Sequence, residues 1–268
     1  MRIGFIGAGH MAAAIARGAV SAGLAASDLT FTSLSGDSAQ RLADELGART
    51  ARSNGSLAHQ VDMLVLAVKP GVQPAVIEQV SHIVRDRPEM FVVSLAAGRT
   101  LDAISDDFGA RVPLVRVMPN VNAQIGQSMS AICAAGASEE QIEAVASLMA
   151  SVGSVARIAE RDFPAFQAIA GCSPAWVFQI IEALARAGVK HGLTKAAATQ
   201  FAAQSVLGSA GLVLAASRDG EIPSRLIDQV CSPGGTTIAG LLAAEDAGLS
   251  SALVAAVDAA VARDADLA

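Results

Sequence analysis

The chain of 268 residues has no tyrosine, one tryptophan and only three lysines. Apart from arginines, its basic side chains are Lys69, Lys190 and Lys195 with His10, His59, His82 and His191. His10 lies in a glycine-rich turn, and His59 and His82 fall in segments that read as partly solvated helices, so all three are given structural places. A reaction that needs a general base to take a proton from an alcohol is poorly served by this inventory. One that mainly needs an electrophilic carbon held in orientation, away from water, is well served. Charge is scarce as well: charged residues make up 16%, with 19 basic against 25 acidic side chains and a net charge of −6. With no basic cluster, nucleic acid and anionic membrane are excluded as partners. Cys133, Cys172 and Cys231 are far apart and form no C-x-x-C pair, which excludes a disulfide framework and leaves no metal site to expect. The N-terminal layout of a signal peptide is missing, so the expected location is cytoplasmic.

What the chain has in excess is apolar residues, at 52% and a mean hydropathy of +0.46. Such a chain either enters a membrane or buries surface against copies of itself. The uncharged run at residues 196–217, matched in length by none but residues 117–138, is long enough to span a bilayer. It is rich in alanine, however, and broken by Thr199, Gln200, Gln204, Ser205 and Ser209, so it reads as a core or subunit-interface helix.

Residues 2–6 read as a buried strand, after which Gly7, Gly9 and Ala12 occupy the small positions of a G-x-G-x-x-A turn that opens a helix. Gly7 permits the tight turn, Gly9 admits a diphosphate to the backbone, and Ala12 lets helix pack on strand. The diphosphate would rest on the helix N-terminus. Strands read at 29–33, weakly at 48–52, at 61–68, where the run is nearly all apolar, at 91–94 and at 114–118 alternate with helical patterns, as a parallel sheet covered on both faces requires. Residues 130–134 and 155–158 read as further strands. Beyond Asp162 every periodic segment is helical. The boundary is placed near Arg161, giving a dinucleotide-binding α/β domain over 1–160 and a helical domain over 161–268. Ser173-Pro174 and Ser232-Pro233 both read as a cap followed by proline at a first helical position.

Ligands of open parallel sheets bind outside the carboxyl ends of the strands. Those ends carry Ile6, Gly7, Ala8, Gly9, His10 and Met11; Ser33 and Ser35; Ala67, Val68, Lys69 and Pro70; Ala96, Ala97 and Gly98; and Met118-Pro119-Asn120. No acid precedes Asp37 after the second strand, while Ser33, Ser35 and Arg41 are near, which favours NADP(H) over NAD(H). If these serines instead only cap the next helix, that preference loses its support. In the helical half, Cys231-Ser232-Pro233-Gly234-Gly235-Thr236-Thr237-Ile238 would aim several N–H groups and three hydroxyls at one spot. It reads equally as a carboxylate site and as a capped turn between helices.

Read in order, these segments resemble the pyrroline-5-carboxylate reductase family along nearly the whole chain. The resemblance is carried by the turn from Ile3 to Met11, by Ala67-Val68-Lys69-Pro70, Ser94-Leu95-Ala96-Ala97-Gly98, Val115-Arg116-Val117-Met118-Pro119-Asn120 and Ala187-Gly188-Val189-Lys190-His191-Gly192-Leu193, and most specifically by Ser232-Pro233-Gly234-Gly235-Thr236-Thr237. It implies NAD(P)H-dependent reduction of 1-pyrroline-5-carboxylate to L-proline, the last step of proline biosynthesis. It also implies an N-terminal Rossmann-like domain followed by an all-α dimerisation domain, with a homodimer and often a larger ring. The implied site has Ser232 and Thr237 as catalytic residues, and Ser232, Gly234, Gly235, Thr236, Thr237 and Asn120 on the imino acid; Asn54 stands at the adenosine side. Two departures bear on substrate preference: Ala170-Gly171-Cys172-Ser173-Pro174-Ala175-Trp176 replaces a glycine-richer run ending in tyrosine, and Asn122 stands where a second proline is common. A β-hydroxyacid dehydrogenase, which relies on Lys followed four residues later by Asn, finds no such pair here. A non-catalytic dinucleotide sensor would have no use for the second glycine loop.

Overall fold

The computed structural model describes residues 1–266. Two compact units are present, Met1–Cys172 joined by the chain end from Ala260, and Ser173–Ala259. In the first, β1 (Ile3–Ile6), β2 (Leu29–Thr32), β3 (Arg49–Thr50), β4 (Met63–Leu66), β5 (Phe91–Ser94), β6 (Leu114–Met118), β7 (Ser128–Ala135) and β8 (Gly153–Arg157) form one sheet in the order β3-β2-β1-β4-β5-β6-β7-β8. The first six strands are parallel, so the chain reverses its direction of build between β1 and β4. Their register aligns Ile6 with Thr32 and Leu66, and Leu66 with Ser94, which brings the carboxyl ends to one edge. β7 departs from the parallel expectation by running antiparallel to β6. The short link between them, 3-10 helix Val121–Ile125, cannot carry the crossover that a parallel pair demands.

Every residue of β4 is buried because the sheet is covered on both faces. Met63 and Val65 join a core with α1 (His10–Ser21), α2 (Asp37–Leu46) and α6 (Glu139–Ala150), while Leu64 and Leu66 face α3 (Asn54–Ala58), α4 (Gln73–Arg85) and α5 (Leu101–Phe108). The side-chain period of two thus feeds two cores from one strand. The capping box expected at Ser138 is present: Gln141 N–H donates to Ser138 Oγ at 3.2 Å and Ser138 N–H to Gln141 Oε1 at 2.9 Å.

Within this unit Arg116 is buried in β6; its Nη1 donates to Glu160 Oε1 at 3.0 Å and its guanidinium lies 4.3 Å over the Phe163 ring. The same Glu160 oxygen accepts Leu101 N–H at 2.7 Å. Nearby, burial pushes the Cys133 thiol up to about 12, with Glu160 adding to the effect and Arg116 opposing it. At pH 8 Cys133 is then held as the thiol, the form that does not react as a nucleophile. Native-state iodoacetamide mapping should leave Cys133 unmodified long after Cys231 is labelled; equal rates would show that the thiol is not held in that state.

Past Asp162, α7 (Phe163–Phe166) runs into a π-helix, Gln167–Cys172, and then α8 (Ser173–Lys190). Ser173-Pro174 is therefore not a helix start. Pro174 has no N–H for the Ala170 carbonyl four residues back, and that carbonyl accepts Asn120 Nδ2 at 2.9 Å instead.

In the second unit, α8 packs on α9 (Lys195–Ala216), where a Cβ on Gly188 would lie 2.8 Å from Ala198 Cβ. Glu182 accepts from Arg186 at 2.7 Å and from Lys195. α10 (Pro223–Val230), α11 (Thr236–Asp246) and α12 (Leu249–Ala265) follow. Large apolar side chains remain outside, among them Phe178, Leu207, Leu214 and Val230, each more than half exposed. Among the described residues one helical stretch, Glu160–Lys190, is long and apolar enough to cross a membrane, and the pair Thr236–Asp246 and Leu249–Asp264, bent by 49°, reaches that length and composition only when taken together; the run at 196–217 does not.

Candidate active site

The glycine turn is built as its spacing requires. Gly7 has φ +101°, and a Cβ there would sit 2.6 Å from the Ala67 carbonyl oxygen, so the end of β1 and the end of β4 approach too closely for any side chain. Gly9 is the N-cap of α1, with φ −81° and no side-chain cap, and a Cβ built on it meets nothing within 4 Å. Unsatisfied N–H groups thus open onto free space at the start of a twelve-residue helix. That is the geometry a diphosphate needs, and the residues fit a dinucleotide.

Beside the turn is a cavity of about 670 Å³, lined by Ile6, Gly7, Val68, residues 32–36 and residues 50–54, with Gln79 at one side. Its polar floor is internally bonded: Thr32 Oγ1 donates to Asn54 Oδ1 at 2.7 Å, and Asn54 Nδ2 donates to Gln79 Oε1 at 2.9 Å. Ser33 Oγ accepts Ala39 N–H at 3.2 Å, so this serine does serve the next helix while its own proton stays available. Ser35 lies exposed on the rim. Arg41 does not line the cavity. It sits on the face of α2 opposite the buried Ala39, Leu42 and Ala43. Arg52 lines it in its place, at the carboxyl end of the strand after the one where the sequence signal for a ribose partner is sought.

A second cavity of about 290 Å³ is lined by His10, Met11, Ala14, Pro119, Asn120, Val121, Gln124 and Gly171. Asn120 is buried and held from behind, since its Oδ1 accepts Asn122 N–H at 3.1 Å while its Nδ2 serves Ala170. Ala8, Gly9, Ala67, Lys69, Pro70, Ala96, Ala97 and Gly98 line neither cavity, but all lie just past β1, β4 or β5 on the same sheet edge. Ser94 there accepts Gln73 Nε2 at 2.8 Å and Ala96 N–H at 3.3 Å, which pins the Ala96-Ala97-Gly98 loop to α4.

In the other unit, Ser232-Pro233 begins a turn and not a helix. Gly235 N–H donates to the Ser232 carbonyl at 3.0 Å, Gly234 has φ +66°, and Gly235 is the N-cap of α11 without a side-chain cap. A Cβ on Gly235 would stand 2.3 Å from Ser232 Oγ. Ser232, Thr236 and Thr237 are exposed, and among the described residues their hydroxyls have no partner. No group of three or more His, Cys, Asp or Glu is placed to hold a metal among the described residues.

The family model for the pyrroline-5-carboxylate reductase dimerisation region matches residues 160–267. A pyrroline-5-carboxylate reductase of Glycine max is 37% identical, covering 99% of this chain and 95% of its own length. The chain belongs to the pyrroline-5-carboxylate reductase family. Residues 2–98 also match the model described as NADP oxidoreductase coenzyme F420-dependent. The solved 1-pyrroline-5-carboxylate reductase of Streptococcus pyogenes superposes with a TM-score of 0.87 at 38% identity, over 98% of both chains. The Plasmodium falciparum pyrroline carboxylate reductase with NADP bound superposes at 0.88, with 27% identity over 100% of this chain and 98% of that one. These likenesses agree with a Rossmann-like sheet domain followed by a helical domain, as the order of elements shows.

Proposed function

We propose that this chain reduces 1-pyrroline-5-carboxylate to L-proline, consuming one NADPH and one proton for each imine bond and releasing NADP⁺. The reading is carried by the presence in one chain of an open glycine turn at Gly7 and Gly9 and of a Ser-Pro-Gly-Gly-Thr-Thr turn at residues 232–237 whose three hydroxyls have no partner among the described residues. NADPH, when bound, supplies the hydride. Ile6, Gly7, Ala8, Gly9, His10 and Met11 would hold the diphosphate, with Ser33, Ser35 and Asn54 on the adenosine. Residues 67–70 and 96–98 would flank the remainder, and Asn120 would position the wall of its cavity. Gly234 and the α11 N–H groups bind the substrate carboxylate together with the Ser232, Thr236 and Thr237 hydroxyls, while Gly235, its own N–H closing the turn on the Ser232 carbonyl, keeps a side chain out of the site. Little acid–base machinery is needed, because a protonated imine is already electrophilic and the main task is orientation in a dry pocket.

The exposed apolar side chains of the helical region support a homodimer formed through it, and a ring of dimers is the larger assembly proposed. We assign 1–160 to dinucleotide binding and 161–268 to dimerisation and substrate binding. Three free thiols and the use of a reduced dinucleotide suit a soluble protein of the cytoplasm.

The test is oxidation of NADPH and NADH at 340 nm with pyrroline-5-carboxylate; no turnover with either overturns the reading. Thr237→Val removes one hydroxyl from the carboxylate site. It should raise KM for the imine by about 10- to 100-fold, the size of a lost hydrogen bond to a charged group, with the NADPH Kd unchanged. Equal weakening of both would show that the loop does not bind substrate.

A further inference from the structure

We infer that Arg52 reads the 2′-phosphate on the adenine ribose and sets a preference for NADPH over NADH, an inference that rests on the dinucleotide site proposed above. The cavity beside the glycine turn is lined both by the loop at residues 33–36 and by Arg52. Among the described residues that line it, Arg52 is the one charged side chain, and none is a carboxylate. An NAD site places an acid at the end of the second strand to accept the ribose hydroxyls; that acid would repel a 2′-phosphate. Here Ser33 occupies that end, with a hydroxyl proton free to donate.

Arg52 is exposed and, among the described residues, makes no ion pair or hydrogen bond, whereas Arg2, Arg17 and Arg157 are each fixed on a carboxylate. Its guanidinium is therefore available, and its planar fork matches two phosphate oxygens. The other nearby cations are placed elsewhere: Arg41 projects from the solvent face of α2, and Arg49 does not line the cavity. Because Asn54 is already bonded at both ends of its amide, the floor can present a surface to the adenosine but holds no charge that could tell the two dinucleotides apart.

The test measures binding, not turnover. Kd values for 2′,5′-ADP, 5′-AMP, NADPH and NADH are determined by calorimetry for the wild type, Arg52→Ala and Arg52→Lys. Arg52→Ala should weaken 2′,5′-ADP and NADPH by about 30- to 100-fold, the size of a lost charged bidentate contact, and move 5′-AMP and NADH less than about twofold. Arg52→Lys should recover part of the loss, and added salt should erode the NADPH advantage of the wild type but not of Arg52→Ala. Equal loss for both dinucleotides would mean that Arg52 stacks on the adenine, and no loss for either would remove it from the site; both results overturn the inference. Wild-type protein that binds neither dinucleotide would overturn the underlying site instead, which keeps the two failures distinct.

Discussion

Gly9→Ala is expected to fold like the wild type and to bind neither dinucleotide well, with Kd values for NADPH and NADH raised by about 100-fold. The backbone at Gly9 already has φ −81°, which alanine adopts freely, and nothing stands within 4 Å of the new methyl. The melting temperature should therefore hold. The methyl does enter the space through which a diphosphate reaches the free N–H groups of α1, so binding alone should suffer. Gly7→Ala is the contrasting variant. Its φ of +101° and the Ala67 oxygen at 2.6 Å tax the fold itself, by about 2–5 kcal/mol from backbone strain and crowding together. Calorimetric titration with a thermal melt separates the two effects. A Gly9→Ala protein that binds NADPH with wild-type affinity would show that the turn is not where the diphosphate sits.

Arg116→Met should lower stability by about 3 kcal/mol, the low end of the range for breaking a buried pair, because Glu160 keeps some contact with solvent. Arg116 joins three elements at once: it lies in β6, shares a Glu160 oxygen with the first N–H of α5, and covers Phe163 at the entry to the helical region. Removing it strands a half-buried carboxylate with a single donor. The double variant Arg116→Met with Glu160→Gln should regain part of the loss, since the stranded charge has gone. Denaturant melts of the four proteins measure the coupling. Additive losses, or a single variant as stable as the wild type, would reduce the cluster to ordinary packing.

The strands were legible because a strand buried on both faces leaves a continuous apolar run, as at Met63-Leu64-Val65-Leu66. Strand direction was not: the period of two is the same in either sense, and only the shortness of the link between β6 and β7 betrays their reversal. The helix around His59 was legible only without bounds, because the capping box that starts α3, Ser53 with Ser56, reads as a polar turn. Ser173-Pro174 and Ser232-Pro233 look alike in sequence but take different structures, since Gly234-Gly235 lets the second pair turn while the first lies inside a continuing helical path. At the candidate site the glycines were legible from their spacing, because backbone sterics act locally. Arg52 was not, because its place follows from β3 lying beside β2, a long-range pairing that no local pattern records.

Pro174 acts through what it lacks. By withholding a donor it leaves the Ala170 carbonyl to be claimed by Asn120, fifty residues earlier in the chain. The two residues thus form one structural word written at two distant places. A descendant that replaced the proline would close the helix over that carbonyl and release the asparagine from its duty. Substitution at either position should therefore relax selection at the other, and the pair is expected to be inherited, or lost, together.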